Sequence, residues 1–362
     1  MSDQHWYSIS NIETVPSPQL VIYADRVLHN IQKAVEMIGD PSRLRPHIKT
    51  NKCREVVKMM MDAGIRKFKF ATFEEGFLLG EENAPDALMA YQPVGPRIYQ
   101  LIELVKKFPD TQFSCLVDNP EVAKIINDAF ASEGCRITVY IDLNVGMNRT
   151  GINEGAFELY KLCTALASLD PVGLHAYDGH IRDISFEVRK QKCNEAFKNV
   201  EILRDKMIKE GYPKPIVIVG GSPSFSVHAS KPDVECSPGT FVFWDKGYSE
   251  ICAEQPFIPA ALVVTRVISV PAKGKACLDL GHKSIAAEND ITRRAIFLNK
   301  PAVKLLSQSE EHGIIEVGEE VNPGHVLYVL PYHICPTVNL FTMSYTVNRG
   351  IASSGWSIVA KH

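Results

Sequence analysis

The sequence has no apolar run approaching the ~18–20 residues that cross a bilayer, and its opening stretch, MSDQHWYSISNIETV, lacks the basic and apolar regions of a secretory leader. These absences predict a cytoplasmic protein. Neither sign of charge prevails: 39 basic side chains face 42 acidic ones, with no Lys/Arg-rich run to hold a phosphate backbone. Nucleic acid and membrane are therefore not expected as partners. There is no CxxC pair, internal repeat, low-complexity tract or long linker, and the nine cysteines read as buried thiols rather than as a disulfide framework. What is present is a 362-residue chain, 45% hydrophobic and 22% charged, with material for a large core. At ~150 residues per domain this suggests two domains, although one α/β barrel absorbs about 250 residues.

Short β-rich runs recur at 44–48, 67–72, 87–92, 112–118, 136–143, 172–177, 216–219 and 240–244. Segments with helical period lie between them. In 97–108, Ile98, Leu101, Ile102 and Val105 fall on one helix face. A second helix is bounded by its ends: Asn119 caps it, Pro120 fits the first turn, Val122, Ile125, Ile126 and Phe130 form the stripe, and Gly134 stops it. Eight strands alternating with helices predict an α/β fold, a parallel (β/α)8 TIM-type barrel, with an open doubly wound sheet as the alternative. Beyond about residue 255 the texture changes to strand-like runs at 261–270, 277–280, 314–317 and 326–330. The expected division is a barrel over 20–255 and a mainly β domain over 1–19 and 256–362.

Barrel chemistry gathers at the carboxyl ends of strands, and Lys49 closes the first one. Arg45 and Lys52 nearby would favour the uncharged amine that attacks carbonyls; the alternative is a surface lysine on a loop. Gly220-Gly221-Ser222 follows the seventh strand and Ser237-Pro238-Gly239-Thr240 precedes the expected eighth, where glycine amides can cradle a phosphate or simply turn the chain. A lysine on strand one with a phosphate cradle at strands seven and eight is the layout of a pyridoxal phosphate barrel.

The chain resembles the fold-type III pyridoxal phosphate enzymes, and within them the D-threonine aldolase and D-serine dehydratase family. The similarity rests on Arg45-Pro46-His47-Ile48-Lys49-Thr50, Val145-Gly146-Met147-Asn148-Arg149-Thr150-Gly151, Ala176-Tyr177-Asp178-Gly179-His180 and Pro238-Gly239-Thr240. Asp279-Leu280-Gly281-His282-Lys283, Glu310-Glu311-His312-Gly313 and Pro331-Tyr332-His333-Ile334-Cys335-Pro336-Thr337 extend it. The resemblance implies an alanine racemase-like barrel followed by a C-terminal β domain, with pyridoxal 5'-phosphate linked to Lys49, Arg149 at the cofactor's phenolic oxygen and Tyr177 beside its ring. Arg149 could instead serve a structural ion pair, and Tyr177 could simply fill the barrel mouth. His47 shares the side of Lys49 and could support the cofactor or only pack inside the barrel, and His180 follows strand six as a candidate proton-transfer group; His282 and His312 are weaker candidates.

His333 and Cys335 are two apart, so on a strand they would share a face and aim at one ion. A buried cysteine beside a hydrogen-bonded histidine is the bland alternative. The resemblance implies a metal-binding pair here, and thiolate with imidazole favours zinc, with manganese or magnesium as alternatives. Cysteine in this position leans toward dehydration, whereas the Ala176–His180 motif and the length lean toward the aldolase branch. The expected activity is metal-assisted cleavage of a D-configured β-hydroxy amino acid, D-threonine giving glycine and acetaldehyde. The alternative is a D-serine or D-3-hydroxyaspartate dehydratase giving a keto acid and ammonia, with an amino-acid racemase ranked below both. A homodimer is expected from the resemblance.

Overall fold

The computed structural model describes residues 5–359. The chain forms two compact units. One comprises Ala34–Lys49 and Val57–Gly239; the other holds the chain up to Lys33, Thr50–Val56 and the chain from Thr240. The first strand, β1 (Gln19–Tyr23), lies in the β-rich unit, because it pairs antiparallel with β9 (Ala261–Ala272).

In the other unit, seven parallel strands run in sequence order: β2 (Lys67–Phe70), β3 (Asp86–Met89), β4 (Gln112–Val117), β5 (Ile137–Leu143), β6 (Leu169–Ala176), β7 (Ile216–Val219) and β8 (Glu235–Cys236). The segment between Leu44 and His47 closes the ring. Leu44 bridges Cys236 and His47 bridges Lys69, both in parallel, and the Arg45 amide donates to the Cys236 carbonyl at 2.9 Å. The result is the (β/α)8 barrel. Its inner face is built by alternation: Leu88, Leu116, Tyr140 and Ile218, from four different strands, meet in one buried cluster. On β2 the opposite face, Phe70, packs outward under the helix Phe73–Glu81, where a Cβ on Gly76 would approach the Phe70 ring at 2.9 Å. Lys67 and Lys69 therefore point into the barrel.

The inner floor is ionic. Arg45, fully buried, donates from Nε to Glu235 at 2.8 Å and binds Asp86 with both terminal nitrogens, while Lys67 also pairs with Glu235. Burial opposes the Arg45 charge, but Glu235 and Asp86 more than offset it and hold the guanidinium firmly protonated.

The eighth strand differs from expectation. Residues 240–244 carry β-branched and aromatic side chains, yet Thr240–Val242 is a 3-10 turn and Trp244 sits at φ 45°. The strand is the dipeptide Glu235–Cys236, so Ser237-Pro238-Gly239-Thr240 follows the last strand rather than preceding it. The helix Pro120–Ser132 starts as read, with Asn119 Oδ1 accepting from the Glu121 and Val122 amides at 2.9 and 3.1 Å. Its buried stripe runs through Ala123, Ile126 and Phe130, however, and Ile125 is exposed.

The β-rich unit adds β10 (Lys275–Leu278), β11 (Ala295–Phe297), β12 (Lys304–Gln308), β13 (Gly313–Glu316), β14 (Val326–Pro331), β15 (Met343–Asn348) and β16 (Ile351–Ser357). The sheet runs β12-β13-β10-β9-β1-β15-β16, with β14 pairing both β9 and β11. Alternate residues of β9 feed two cores, Val263 and Val267 one, Leu262 and Val264 the other. Asp279 pins the sheet by accepting from the Arg266 amide at 2.9 Å and from the Thr265 and Ser17 hydroxyls. No helix among the described residues is long and apolar enough to cross a membrane.

Candidate active site and metal pair

After its bridge to β2 the closing segment turns into a 3-10 helix, Ile48–Thr50, and presents Lys49 on an exposed turn. The Lys49 amide donates to His47 Nδ1 at 3.2 Å, which fixes the half-buried imidazole against the turn. The Arg45 guanidinium is engaged by Glu235 and Asp86 on the barrel floor.

At the carboxyl end of β6, Tyr177 is held between glycines. A Cβ on Gly179 would lie 2.2 Å from its ring and one on Gly221 2.8 Å from it, so only glycine lets both backbones lie against the phenol. The Arg149 guanidinium covers the same ring at 4.8 Å, a cation–π contact rather than an ion pair. Arg149 is carried by a loop that Asn144 orders, its Oδ1 accepting from the Gly146 and Asn148 amides at 3.0 and 3.1 Å. His180 is exposed, with its Nε2 placed 3.0 Å from where a Cβ on Gly146 would stand.

Beyond β7, Gly220 adopts φ 70° and Gly221 donates to Ser224 Oγ at 3.2 Å; Gly239 donates to Ser222 Oγ at 3.3 Å, joining the two glycine loops. Beneath them lies a support that sequence reading missed. Asp178 accepts from Ser224 Oγ at 2.5 Å and from His228 Nε2 at 2.7 Å, with Cys193 beside it, all buried. Burial resists ionisation of Asp178, but its donors outweigh that and lower its pKa. Because these donors already occupy the carboxylate, the trio braces the phosphate-type loops.

These residues fit pyridoxal phosphate. Ser237 Oγ is buried without a hydrogen-bond partner among the described residues, on the loop whose backbone is tied to β7 through the Ser237 amide and the Val219 carbonyl. An orphaned hydroxyl beside two glycine loops is satisfied by a bound oxyanion. Lys49 would hold the aldehyde carbon, Tyr177 and Arg149 the ring, and Gly220, Gly221, Ser222 and Gly239 the phosphate.

In the β-rich unit, His333 and Cys335 do come together, though not on a strand. β14 ends at Pro331, His333 caps the helix Ile334–Val338, and Cys335 lies in its first turn. Asp245, which caps the helix Lys246–Ile251, accepts from the Ile334 amide at 3.0 Å and so fixes this turn. His333 Nδ1 faces Glu288 at 2.5 Å, and Cys335 Sγ lies 3.1 Å from Thr50 Oγ1 and 3.5 Å from Thr240 Oγ1. Burial works against the imidazolium, but Cys335, Glu288 and Asp245 outweigh it and raise His333 to about 9. The thiol responds in the opposite sense: burial would raise it, and His333 brings it down. A thiol poised to ionise beside an imidazole with a carboxylate on its far nitrogen is a fitting donor pair for a soft divalent ion. Thr240, expected at the phosphate, also touches this group. His282 and His312 are exposed.

The chain matches known proteins along its length. The alanine racemase N-terminal domain family matches residues 22–246, more than half of the chain, and a serine dehydratase domain matches 260–347. A D-threonine aldolase from Arthrobacter sp is 27% identical over 88% of this chain and 85% of its own. A D-threo-3-hydroxyaspartate dehydratase from Delftia sp. is 25% identical over 90% and 92%. The crystal structure of D-threonine aldolase from Filomicrobium marinum superposes with a TM-score of 0.86 at 23% identity, covering 95% of each chain. The chain belongs to the alanine racemase N-terminal domain family, in the branch of pyridoxal phosphate-dependent lyases that contains D-threonine aldolases and D-serine dehydratases.

Proposed function

We propose that the protein is a metal-assisted lyase of D-configured β-hydroxy amino acids, cleaving D-threonine or a close analogue to glycine and an aldehyde. The observation that carries this reading is the His333–Cys335 pair, because a racemase exchanging only an α-proton has no use for a metal donor set. Pyridoxal phosphate supplies the electron sink for charge developing at the substrate's α-carbon. Lys49 would hold the cofactor through its amine until the substrate's amine takes that place. Tyr177 and Arg149 keep the ring in register, and glycine amides bind the phosphate. His333 and Cys335 would hold a divalent ion, zinc favoured and manganese or magnesium next, which would supply Lewis acidity at the β-hydroxyl. A base takes the hydroxyl proton, the Cα–Cβ bond breaks, and Cα is reprotonated to give glycine. His180, exposed on the loop after β6, is the candidate for proton transfer.

One observation favours a second outcome. Cys335 stands where a carboxylate would suit aldol cleavage, and with a thiolate-held ion the β-hydroxyl would leave as water after loss of the α-proton, so that D-serine yields pyruvate and ammonia. A reducing cytoplasm suits the nine free cysteines, and the resemblance supports a homodimer.

Product analysis tests the proposal. The purified holoenzyme is incubated with D-threonine and D-serine, with and without chelator. Glycine and acetaldehyde support cleavage; keto acid and ammonia move the assignment to dehydration. Activity indifferent to chelator, with only the L-enantiomer accumulating, overturns both. His333→Ala and Cys335→Ala each lower metal-restored turnover by ~100-fold or more.

A further inference from the structure

Inside the barrel a lysine that the chemistry above does not use is linked to two buried partners. Lys69 Nζ lies 2.7 Å from His175 Nε2, and His175 Nδ1 lies 2.6 Å from Asp142 Oδ1. All three residues are buried, at 3%, 4% and 3% exposure. Burial resists ionisation of Asp142, but His175 outweighs it, so the carboxylate is charged and accepts from Nδ1. That fixes the tautomer: His175 is neutral, its Nε2 accepts, and Lys69 donates. The ammonium form of Lys69 thus has a neutral ring as its hydrogen-bond partner, and among the described residues no carboxylate is paired with it.

An amine taken out of water without an anion beside it holds its proton weakly. Burial, seconded by Arg45 and Lys49 and only partly countered by Asp142 and Glu235, brings Lys69 down to about 7. Those four groups and His175 are among the charged and titratable side chains that act on it, with Lys67 and Tyr140 on the same inner face of the barrel. The Lys69 amide donates to the Pro46 carbonyl at 2.8 Å and His47 bridges Lys69, so the array lies beside the segment that carries Lys49, and the charge of Arg149 acts on His175. A multiply charged anion bound by Lys49, Arg149 and the glycine loops supplies the negative charge that Lys69 lacks.

We propose that Lys69, anchored by His175 and Asp142, is a buried counter-cation for the anionic cofactor: when the anion binds, its Nζ takes a proton from solvent and passes from amine to ammonium. The inference rests on the cofactor reading above and goes beyond it by coupling cofactor affinity to pH through a residue that need not touch the cofactor.

The test uses the full-length cofactor-free chain and 4'-deoxypyridoxine 5'-phosphate, which lacks the aldehyde and so isolates anion binding from the bond to Lys49. Calorimetric titration near pH 8, in buffers of different ionisation enthalpy, counts the protons taken up. Wild type takes up about half a proton or more beyond Lys69→Met and Lys69→Arg. Lys69→Arg carries a permanent charge, so it loses the uptake while keeping affinity within about threefold; it also carries the test alone should Lys69→Met fail to fold. Equal uptake in all three chains overturns the inference and leaves the cofactor assignment standing. An analogue that does not bind wild type overturns both.

Discussion

Tyr177 stands against two glycines, and one added methyl group would move it. Gly221→Ala places a carbon 2.8 Å from the ring at a position without positive φ, so the cost falls on the phenol rather than on the backbone. The expected result is a chain that melts within a few degrees of wild type but binds pyridoxal phosphate ~10-fold more weakly. Lys69 makes a prediction of its own. Its folded pKa of about 7 lies below the ordinary 10.5, so the unfolded chain binds more protons between those values and stability rises with pH across that window. Lys69→Met removes this dependence. In the cofactor-free chain the melting temperature of the variant relative to wild type is highest near pH 6 and declines steadily toward pH 10; a pH-independent difference would contradict the buried amine. This residue escaped the sequence because Lys67-Phe68-Lys69-Phe70 alternates like a strand with lysines in water. Only barrel closure turns that face inward. Lys49, by contrast, was legible, because its place at the end of the first stave follows from counting strands.

At the scale of elements, legibility followed length and end signals. The helix after Asn119 was announced by its cap and by Pro120, whereas β8 has two residues and no period to detect. The aromatic run after Thr240 imitated a strand, since burial on all sides enriches the same residue types in a packed turn. His333 and Cys335 were found through strand spacing but are assembled by a helix start, where the cap residue and the first turn also converge. The brace under the glycine loops joins Asp178, Ser224 and His228 across 50 residues, which no local pattern reveals. Asp178→Asn removes the charge that these donors stabilise and is expected to cost about 1–3 kcal/mol. Asp178 is held below the ordinary carboxylate range, so its contribution is present above the unfolded value and lost as pH falls through the folded one. Chemical denaturation at neutral and acid pH checks this: the wild-type advantage over the variant shrinks on acidification, and a constant gap would count against the brace.

For the whole molecule, Lys49, the Arg149–Tyr177 pair and the glycine loops lie in the barrel unit, and the His333–Cys335 pair lies in the β-rich unit. Reduction with borohydride tests the claim on which the rest depends, because it fixes any lysine-linked pyridoxal phosphate irreversibly. After proteolysis and mass spectrometry, the cofactor mass is expected on Lys49, with Lys49→Ala losing both the adduct and the yellow absorbance. An adduct on Lys52 or Lys69, or none on a chain that turns over substrate, would contradict it.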